Sequence, residues 1–405
     1  MIDVIVVGGG AAGFFTAINL KEQRPELNVV ILEKSNQLLS KVRISGGGRC
    51  NVTHACFIPK DLVKNYPRGQ KELLGPFHKF MTGDVMEWFE ERGVPLKIEK
   101  DNRIFPQANT SQAIIDCFMS LSSKLGIEIR TSTGLKDFRQ LENGHWEVDL
   151  SEETLVSRAL VLCPGPSKPI WKLMEAMDYK IVDPVPSLFT FNITDPRLEE
   201  IPGVAVPKAR IWVEGSKLKS KGPVLITHWG LSGPGILKLS SLGARFFHEK
   251  NYNFKVFINW IGIDRDEVED LIEDYSYEHR KNTVHQRSIH EHIPKRLWEK
   301  LLAYVQIRPG RRWGDLSKKE KQDLENVLFA SCFQVTKKST FKEEFVTAGG
   351  LSLKQINFKN FESKLHPRLY MAGEFIDIDA VTGGFNFQNA WTGGYLIAQD
   401  LSEKL

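Results

Sequence analysis

The chain has 405 residues, 41% of them hydrophobic and 26% charged, with 54 Lys and Arg against 50 Asp and Glu. That is enough chain for two or three domains, no apolar run approaches the roughly twenty residues of a membrane span, and a net charge of +4 does not by itself imply nucleic acid. The five cysteines (Cys50, Cys56, Cys117, Cys163 and Cys332) are scattered, odd in number and without a C-x-x-C pair, which argues against a disulfide framework or a zinc site and predicts a cytoplasmic protein without a metal.

The first 33 residues carry the strongest pattern. Ile2 to Val7 is a β-branched apolar run of the kind found in buried parallel strands. Gly8-Gly9-Gly10-Ala11-Ala12-Gly13 follows and matches G-x-G-x-x-G; Phe14 to Gln23 predicts a helix, and Val29 to Leu32 a second strand that closes on Glu33, twenty residues after Gly13. Strand, glycine turn, helix, strand and acid each have a task. Gly8 permits the turn, Gly10 lets the backbone approach a pyrophosphate, and Gly13 lets helix and strand pack closely. The helix N-terminus offers N–H groups to the phosphate, and Glu33 can accept from a ribose 2′-hydroxyl while repelling a 2′-phosphate. A purely structural glycine turn leaves Glu33 unexplained, and a signal peptide is excluded by the glycines and the missing basic flank.

Further along, Ser45-Gly46-Gly47-Gly48-Arg49-Cys50-Asn51 predicts a backbone nest able to wrap a phosphate or the edge of a heterocycle, with Arg49 available to an anion or a ring carbonyl. Residues 70–98 predict helix, Ser111 to Lys124 an amphipathic helix, Ile127 to Arg130 a strand, and Leu135 to Leu150 a hairpin turning at Asn143-Gly144. Ala159 to Cys163 is another buried strand, stopped by Pro164-Gly165-Pro166. From about Pro184 the texture changes to strand-like runs (Leu188–Ile193, Ala209–Val213, Val224–Thr227, Asn253–Trp260) with no helix between them, which predicts an antiparallel, barrel-like insertion. Asp264 to Leu328 predicts a small helical subdomain. Leu369 to Glu374 predicts a strand ending on a carboxylate, and the stretch from about Gln388 to Leu401 a helix whose glycine-rich start faces a ligand. The expected fold is therefore α/β: a discontinuous Rossmann-type domain (1–186 and 347–405) interrupted by a β-barrel (187–262), a helical subdomain (263–330) and a return strand of the barrel (331–346).

Gly8 to Gly13, Ser45 to Asn51, Thr227-His228-Trp229-Gly230-Leu231-Ser232-Gly233-Pro234, Ala348-Gly349-Gly350 and Ala372-Gly373-Glu374 through Gly383-Gly384-Phe385-Asn386 occur in that order. In these blocks, and from end to end, the chain resembles the BaiN/RdsA family of FAD-dependent oxidoreductases, the aminoacetone-oxidase-type flavoproteins. The resemblance implies non-covalent FAD held between the first and last parts of the chain. Its binding set would be Gly8, Gly10, Ala12, Gly13, Glu33, Lys34, Lys41, Gly47, Gly48, Arg49, Cys50, Asn51, Gly165, Gly373, Glu374, Gly384, Asn386, Phe387 and Gln388. Two positions depart from the family: Cys163-Pro164-Gly165-Pro166 replaces an A-T-G-G-like turn, and Phe361 replaces a methionine.

On this reading the flavin performs the redox step, and the N–H groups near Asn386 to Gln388 balance charge on its ring. His228 and Cys50 are the candidate proton donors; the bland alternatives are a packed histidine beside Trp229 and a small residue suited to close backbone packing. The expected activity is hydride transfer to a C=C bond of a conjugated small molecule or of uracil in RNA, since part of the family is associated with reducing uridine in ribosomal RNA. The alternatives are an amine oxidase using oxygen, and a binding or assembly protein with structural FAD. NAD(P)H is a possible transient reductant, although a second dinucleotide fingerprint is absent. Residues 279–321 hold twelve Lys and Arg against four acids; with Lys208, Arg210, Lys217, Lys219 and Lys221 they form either a structured-RNA surface or a solvated helix face. A monomer or homodimer is expected.

Overall fold

The computed structural model describes residues 2–339 and 346–405. It divides into two compact units, Met1–Val185 with Lys342–Leu405, and Pro186–Phe341. The protein is a mixed α/β chain whose first unit is a discontinuous Rossmann-type domain.

The core of that unit is a parallel array in the order Leu369–Met371, Thr154–Leu162, Ile2–Val7, Val29–Leu32, Glu128–Arg130. Val6 lies opposite Ile31 on one side and Val161 on the other. With neighbours on both edges and helices on the faces, Val4, Ile5 and Val6 are fully buried, which is why the run is uniformly apolar rather than alternating. The C-terminal segment supplies the outer parallel strand, so the interruption of the domain by the second unit is real. The expected hairpin is present as Asp137–Gln140 and Trp146–Asp149 and pairs onto Thr154–Leu162.

Helix Ala11–Gln23 packs against the long C-terminal helix Phe385–Lys404. Close approach needs small residues: a Cβ on Gly394 would lie 3.0 Å from the Ala12 carbonyl oxygen. Both helices are buried on most sides, and Thr16 and Asn19 of the first are satisfied within the fold. Thr16 donates to the Ala12 carbonyl at 2.8 Å, and Asn19 accepts from the Trp88 indole at 3.1 Å. Phe15, Trp88, Phe118 and Trp391 form an aromatic cluster beside them; burying each such ring is worth about 2 kcal/mol.

Between 70 and 98 the expected continuous helix is broken. Only Leu74–Phe77 and Thr82–Glu91 are helical, and Leu96–Ile98 is a strand. Gly75 and Pro76 lie inside the first of these, which is a single turn, and Gly93, at φ +77°, ends the second ahead of Pro95.

In the second unit, seven antiparallel strands among the described residues run in the order Ser331–Val335, Phe254–Asn259, Ala205–Val213, Lys219–Thr227, Gly230–Ser232, Thr190–Asn192, Lys337–Ser339. Its two ends are consecutive pieces of one segment, separated only by Thr336; the first pairs with Phe254–Asn259 and the second with Thr190–Asn192, so one segment joins both ends of the sheet in the barrel-like manner expected. The expectation of no helix among these strands fails, because Pro234–Leu242 and Ala244–Glu249 stand between two of them. Pro234 at the first helical position and Gly243 at the junction are each compatible with a helix end. Helices Arg265–Glu278, Lys295–Tyr304 and Lys318–Phe329 follow as expected. Sheet and helices share one core, with Phe191, Ile211, Val256 and Phe333 beside Ile272, Trp298, Leu301 and Leu328. This unit runs from Pro186 to Phe341, so residues 342–346 of the expected 331–346 segment belong to the first unit; residues 340–345 lie outside the described residues.

Candidate dinucleotide site

Three parallel strands end side by side on glycine-bearing turns: Ile2–Val7 on Gly8, Thr154–Leu162 on Cys163-Pro164-Gly165, and Leu369–Met371 on Ala372-Gly373-Glu374. The carboxyl edge of a parallel sheet is where such folds bind ligands. The turns touch. A Cβ on Gly8 would lie 2.2 Å from the Cys163 carbonyl oxygen, and one on Gly373 3.3 Å from the Ala12 Cβ. Gly13 has no room for a side chain either, since its Cβ would stand 2.0 Å from the Gly8 oxygen. Gly10 is the exception: a Cβ there meets nothing within 4 Å.

The Glu33 carboxylate turns back onto this turn. It accepts from the Gly9 N–H at 2.8 Å and from the Ser35 N–H at 2.9 Å. A carboxylate has about four acceptor positions, so two bonds leave capacity for ribose hydroxyls. Lys34 beside it is exposed. The Ala11–Gln23 helix has neither a side-chain cap nor an acid in its first turn, so its positive end is left for an anion.

The second glycine run forms the predicted nest. Gly46, Gly47 and Gly48 have φ of +59°, +68° and +82°, and Cys50 follows at +59°. Gly46 packs on Phe105, whereas Gly47 and Gly48 face open space. The Ser111 N–H holds the run by donating to the Gly48 carbonyl at 2.8 Å. Arg49 is directed inward: it pairs with Glu99 at 2.7 Å and lies 4.0 Å over the Phe105 ring. The anion it meets in this structure is a residue of the chain itself. Cys50 is fully buried, and burial pushes its thiol up to about 12, so the group stays protonated and shielded from solvent. The neighbouring Asn51 is buried with its Oδ1 unpartnered, and so is Asn389 on the C-terminal helix. Orphaned buried acceptors of this kind, together with the open faces of Gly10, Gly47 and Gly48, fit a bound dinucleotide.

Glu374 joins three segments. It forms an ion pair with Lys41 and accepts from the Thr347 N–H at 2.9 Å. Gly384, at φ +91°, opens the C-terminal helix against Thr53, whose hydroxyl donates to the Gln388 side chain at 2.6 Å. Gln388 therefore serves the fold through its side chain, and its own N–H already donates to the Gly384 carbonyl. Asn386 accepts from the Ala380 N–H at 3.0 Å, and Phe387 stacks on Trp391. Of the groups expected near the ring, the backbone N–H groups of the first turn, at Phe385 to Phe387, have no side-chain cap.

Two features here escaped the sequence reading. Arg68 makes a two-pronged ion pair with Asp379, a carboxylate with no solvent exposure, and this ties the segment before Gly383 to a residue more than 300 positions earlier. Its only sequence trace is the pair of acids that alternates with isoleucine in Ile376-Asp377-Ile378-Asp379. His54 donates through Nδ1 to the Gly383 carbonyl at 3.1 Å and lies against Phe385, and burial lowers its pKa, which favours the neutral ring with Nε2 unprotonated.

His228 belongs to the other unit. It is exposed and lines a cleft of about 460 Å³ with Asp195, Glu199, Glu200 and Thr227. Among the described residues, no group of three or more His, Cys, Asp or Glu is arranged to hold a metal, and no helix is long and apolar enough to cross a membrane.

Comparison with known proteins agrees with this geometry. The chain is 27% identical over 411 residues to the ribosomal RNA dihydrouridine synthase of Escherichia coli (strain K12), covering 98% of both chains. It is 22% identical to the 3-dehydro-bile acid delta(4,6)-reductase of Clostridium scindens, again over 98% of each. Among solved structures, a 3-ketosteroid-delta4-(5alpha)-dehydrogenase from Rhodococcus jostii RHA1 shares the fold over 99% of this chain and 96% of its own, with a TM-score of 0.51 and 13% identity. The family described as HI0933-like protein Rossmann domain matches residues 2–400, and the chain belongs to that family of flavoproteins.

Proposed function

We propose that this protein is an FAD-dependent oxidoreductase that reduces a conjugated C=C bond, with a uracil ring in ribosomal RNA as its substrate. The observation that supports it most is the end-to-end likeness to the ribosomal RNA dihydrouridine synthase, at 98% coverage of both chains. Bound FAD supplies the hydride chemistry. The chain's own residues hold and orient it. The Gly8–Gly13 turn and the start of the Ala11–Gln23 helix receive the pyrophosphate, and Glu33 accepts from the ribose. Gly47, Gly48, Asn51 and Asn389 would serve the flavin end of the cofactor, and the uncapped start of the Phe385–Lys404 helix would offer it N–H groups and positive potential. Lys41, Glu374 and Thr347 clasp the last segment to the first. Of the two proton-donor candidates, His228 has solvent access, whereas Cys50 is enclosed and serves packing. NAD(P)H is the proposed reductant. A small enone substrate is the second reading, favoured by the bile acid reductase relative.

The test begins with the pure protein: it is yellow and releases FAD, not FMN, on denaturation. Under anaerobic conditions NADPH or NADH bleaches the flavin, and a uracil-containing ribosomal RNA restores the colour while gaining two mass units at one uridine. Recovery of colour with a 3-keto-4-ene but not with RNA transfers the function to small molecules. Flavin that neither NAD(P)H nor substrate can reduce overturns the enzymatic reading altogether.

A further inference from the structure

The basic stretch of the second unit separates into two populations. Lys300 pairs with Glu200 at 2.9 Å, Lys321 with Glu273 at 2.6 Å, and Arg311 with Glu320 at 2.9 Å. Arg210 and Arg265 pair with Asp264 and Glu325. These cations are used inside the unit. Arg280, Lys281, Arg308 and Arg312 are exposed and have no ion pair among the described residues, and the same holds for Lys318 and Lys319 at the start of the Lys318–Phe329 helix.

Backbone pairing holds the first four of these together. The Gly314 N–H donates to the Arg280 carbonyl and the Trp313 N–H to the Asn282 carbonyl, both at 3.1 Å; the Val284 N–H donates to the Arg311 carbonyl at 2.9 Å. Thr283 bridges Arg312 in antiparallel fashion, and the Arg311 N–H closes a turn on the Arg308 carbonyl at 3.1 Å. The pairing is tight, since a Cβ on Gly314 would stand 2.9 Å from the Arg280 Cβ. Trp313 is buried beneath it, against Tyr275 at 4.9 Å and Trp298 at 6.2 Å. Four cations are thus set on a short rigid platform rather than on a flexible run, with Glu278 and Asp315 as the flanking acids in sequence.

We infer that this platform, Arg280-Lys281 paired with Arg308 and Arg312, is a docking surface for the phosphate backbone of the RNA substrate; this rests on the RNA reading proposed above. Clustered like charges held by backbone pairing repel one another in the free protein, and phosphates relieve that repulsion while releasing counterions. Arg311 is not part of the surface, because its guanidinium is committed to Glu320.

The experiment uses the FAD-loaded protein, a structured ribosomal RNA fragment and a charge-reversed variant, Arg280→Glu/Lys281→Glu/Arg312→Glu. Binding is titrated at several salt concentrations. The expected result is a loss of at least about tenfold in RNA affinity and a decrease of about 2 in the slope of log K against log salt, at roughly 0.7–0.9 per phosphate contact. FAD content and thermal stability should match wild type, and Arg311→Gln should leave the salt slope unchanged. Wild-type binding that the triple reversal does not weaken overturns the platform and leaves the RNA reading standing. Wild-type protein that ignores RNA overturns both, and binding to anionic phosphatidylserine vesicles without binding to RNA reassigns the surface to membranes.

Discussion

The glycine turn at Gly8–Gly13 and the glycine run at Gly46–Gly48 both leave open space beside the backbone, by different physical means. In the turn, Gly8 and Gly13 are demanded by the protein itself: a Cβ on each would come within 2.2 and 2.0 Å of a backbone oxygen, whereas one on Gly9 would meet the movable end of the Leu38 side chain at 2.6 Å and one on Gly10 faces open space. In the run, Gly46 packs against Phe105, while Gly47 and Gly48 touch nothing and are demanded by their left-handed backbone. One glycine therefore reports the ligand without the fold, another the fold without the ligand, and a third the backbone conformation.

That contrast is open to direct attack. Gly10→Val should have the largest effect on the cofactor, lowering FAD affinity by roughly a thousandfold, or about 4 kcal/mol, because the side chain enters the space the pyrophosphate needs. Thermal stability without FAD should be nearly unchanged, since nothing lies within 4 Å. A variant that binds FAD normally would show the open face to be mere solvent. Gly13→Ala should do the reverse and destabilise the protein without FAD by about 3 kcal/mol, the upper range for overpacking, read from denaturant unfolding. If its stability equals wild type, the strand–helix contact is looser than the 2.0 Å approach implies.

Glu33→Ala lies between the two. It should weaken FAD by roughly 1.5–3 kcal/mol through loss of charge-assisted hydrogen bonds, and also loosen the turn, because the Gly9 and Ser35 N–H groups lose their acceptor. Calorimetric titration with FAD and a melting curve separate the two losses; an unchanged Kd removes Glu33 from the site. Gly47→Ala should cost about 1 kcal/mol of stability for placing an L side chain at φ +68°. It should also reduce FAD affinity, since the new Cβ points into open space beside the nest.

The smallest expected effect is a pH dependence in the second unit, away from either glycine region. The Arg311 hydrogen bonds, aided by Ser317, hold the Glu320 carboxyl down to about 2, against 4.5 ordinarily. A carboxylate with a depressed folded pKa contributes its full stability above the unfolded value and loses it as pH falls through the folded one. The Glu320→Gln difference in Tm from wild type should therefore be constant above pH 4.5 and shrink between pH 4.5 and about 2. A difference that does not change across that window would show that Glu320 acts only through its capping bond to the Ser317 N–H.

The sequence by itself determined the dinucleotide half of the protein. Strand, turn, helix, strand and acid are contiguous within the first 33 residues, and each is encoded in local spacing, as are the hairpin at Asn143-Gly144 and the nest at Ser45–Gly48. Periodicity and glycine placement are short-range properties, so one chain suffices to read them. Tertiary structure alone decided what each charged group is for. Arg49, free on paper to take an anion, is held by Glu99 fifty residues away. Asp379, in sequence no different from Asp377 two residues before it, is buried against Arg68. Arg311, one of twelve similar cations in sequence, is occupied while Arg312 beside it is not. How the sheet of the second unit ends was equally illegible, because one segment, Ser331 to Ser339, meets both of its ends through partners distant in sequence. A charge acquires its role from partners distant in sequence, and neither composition nor period records where those partners arrive.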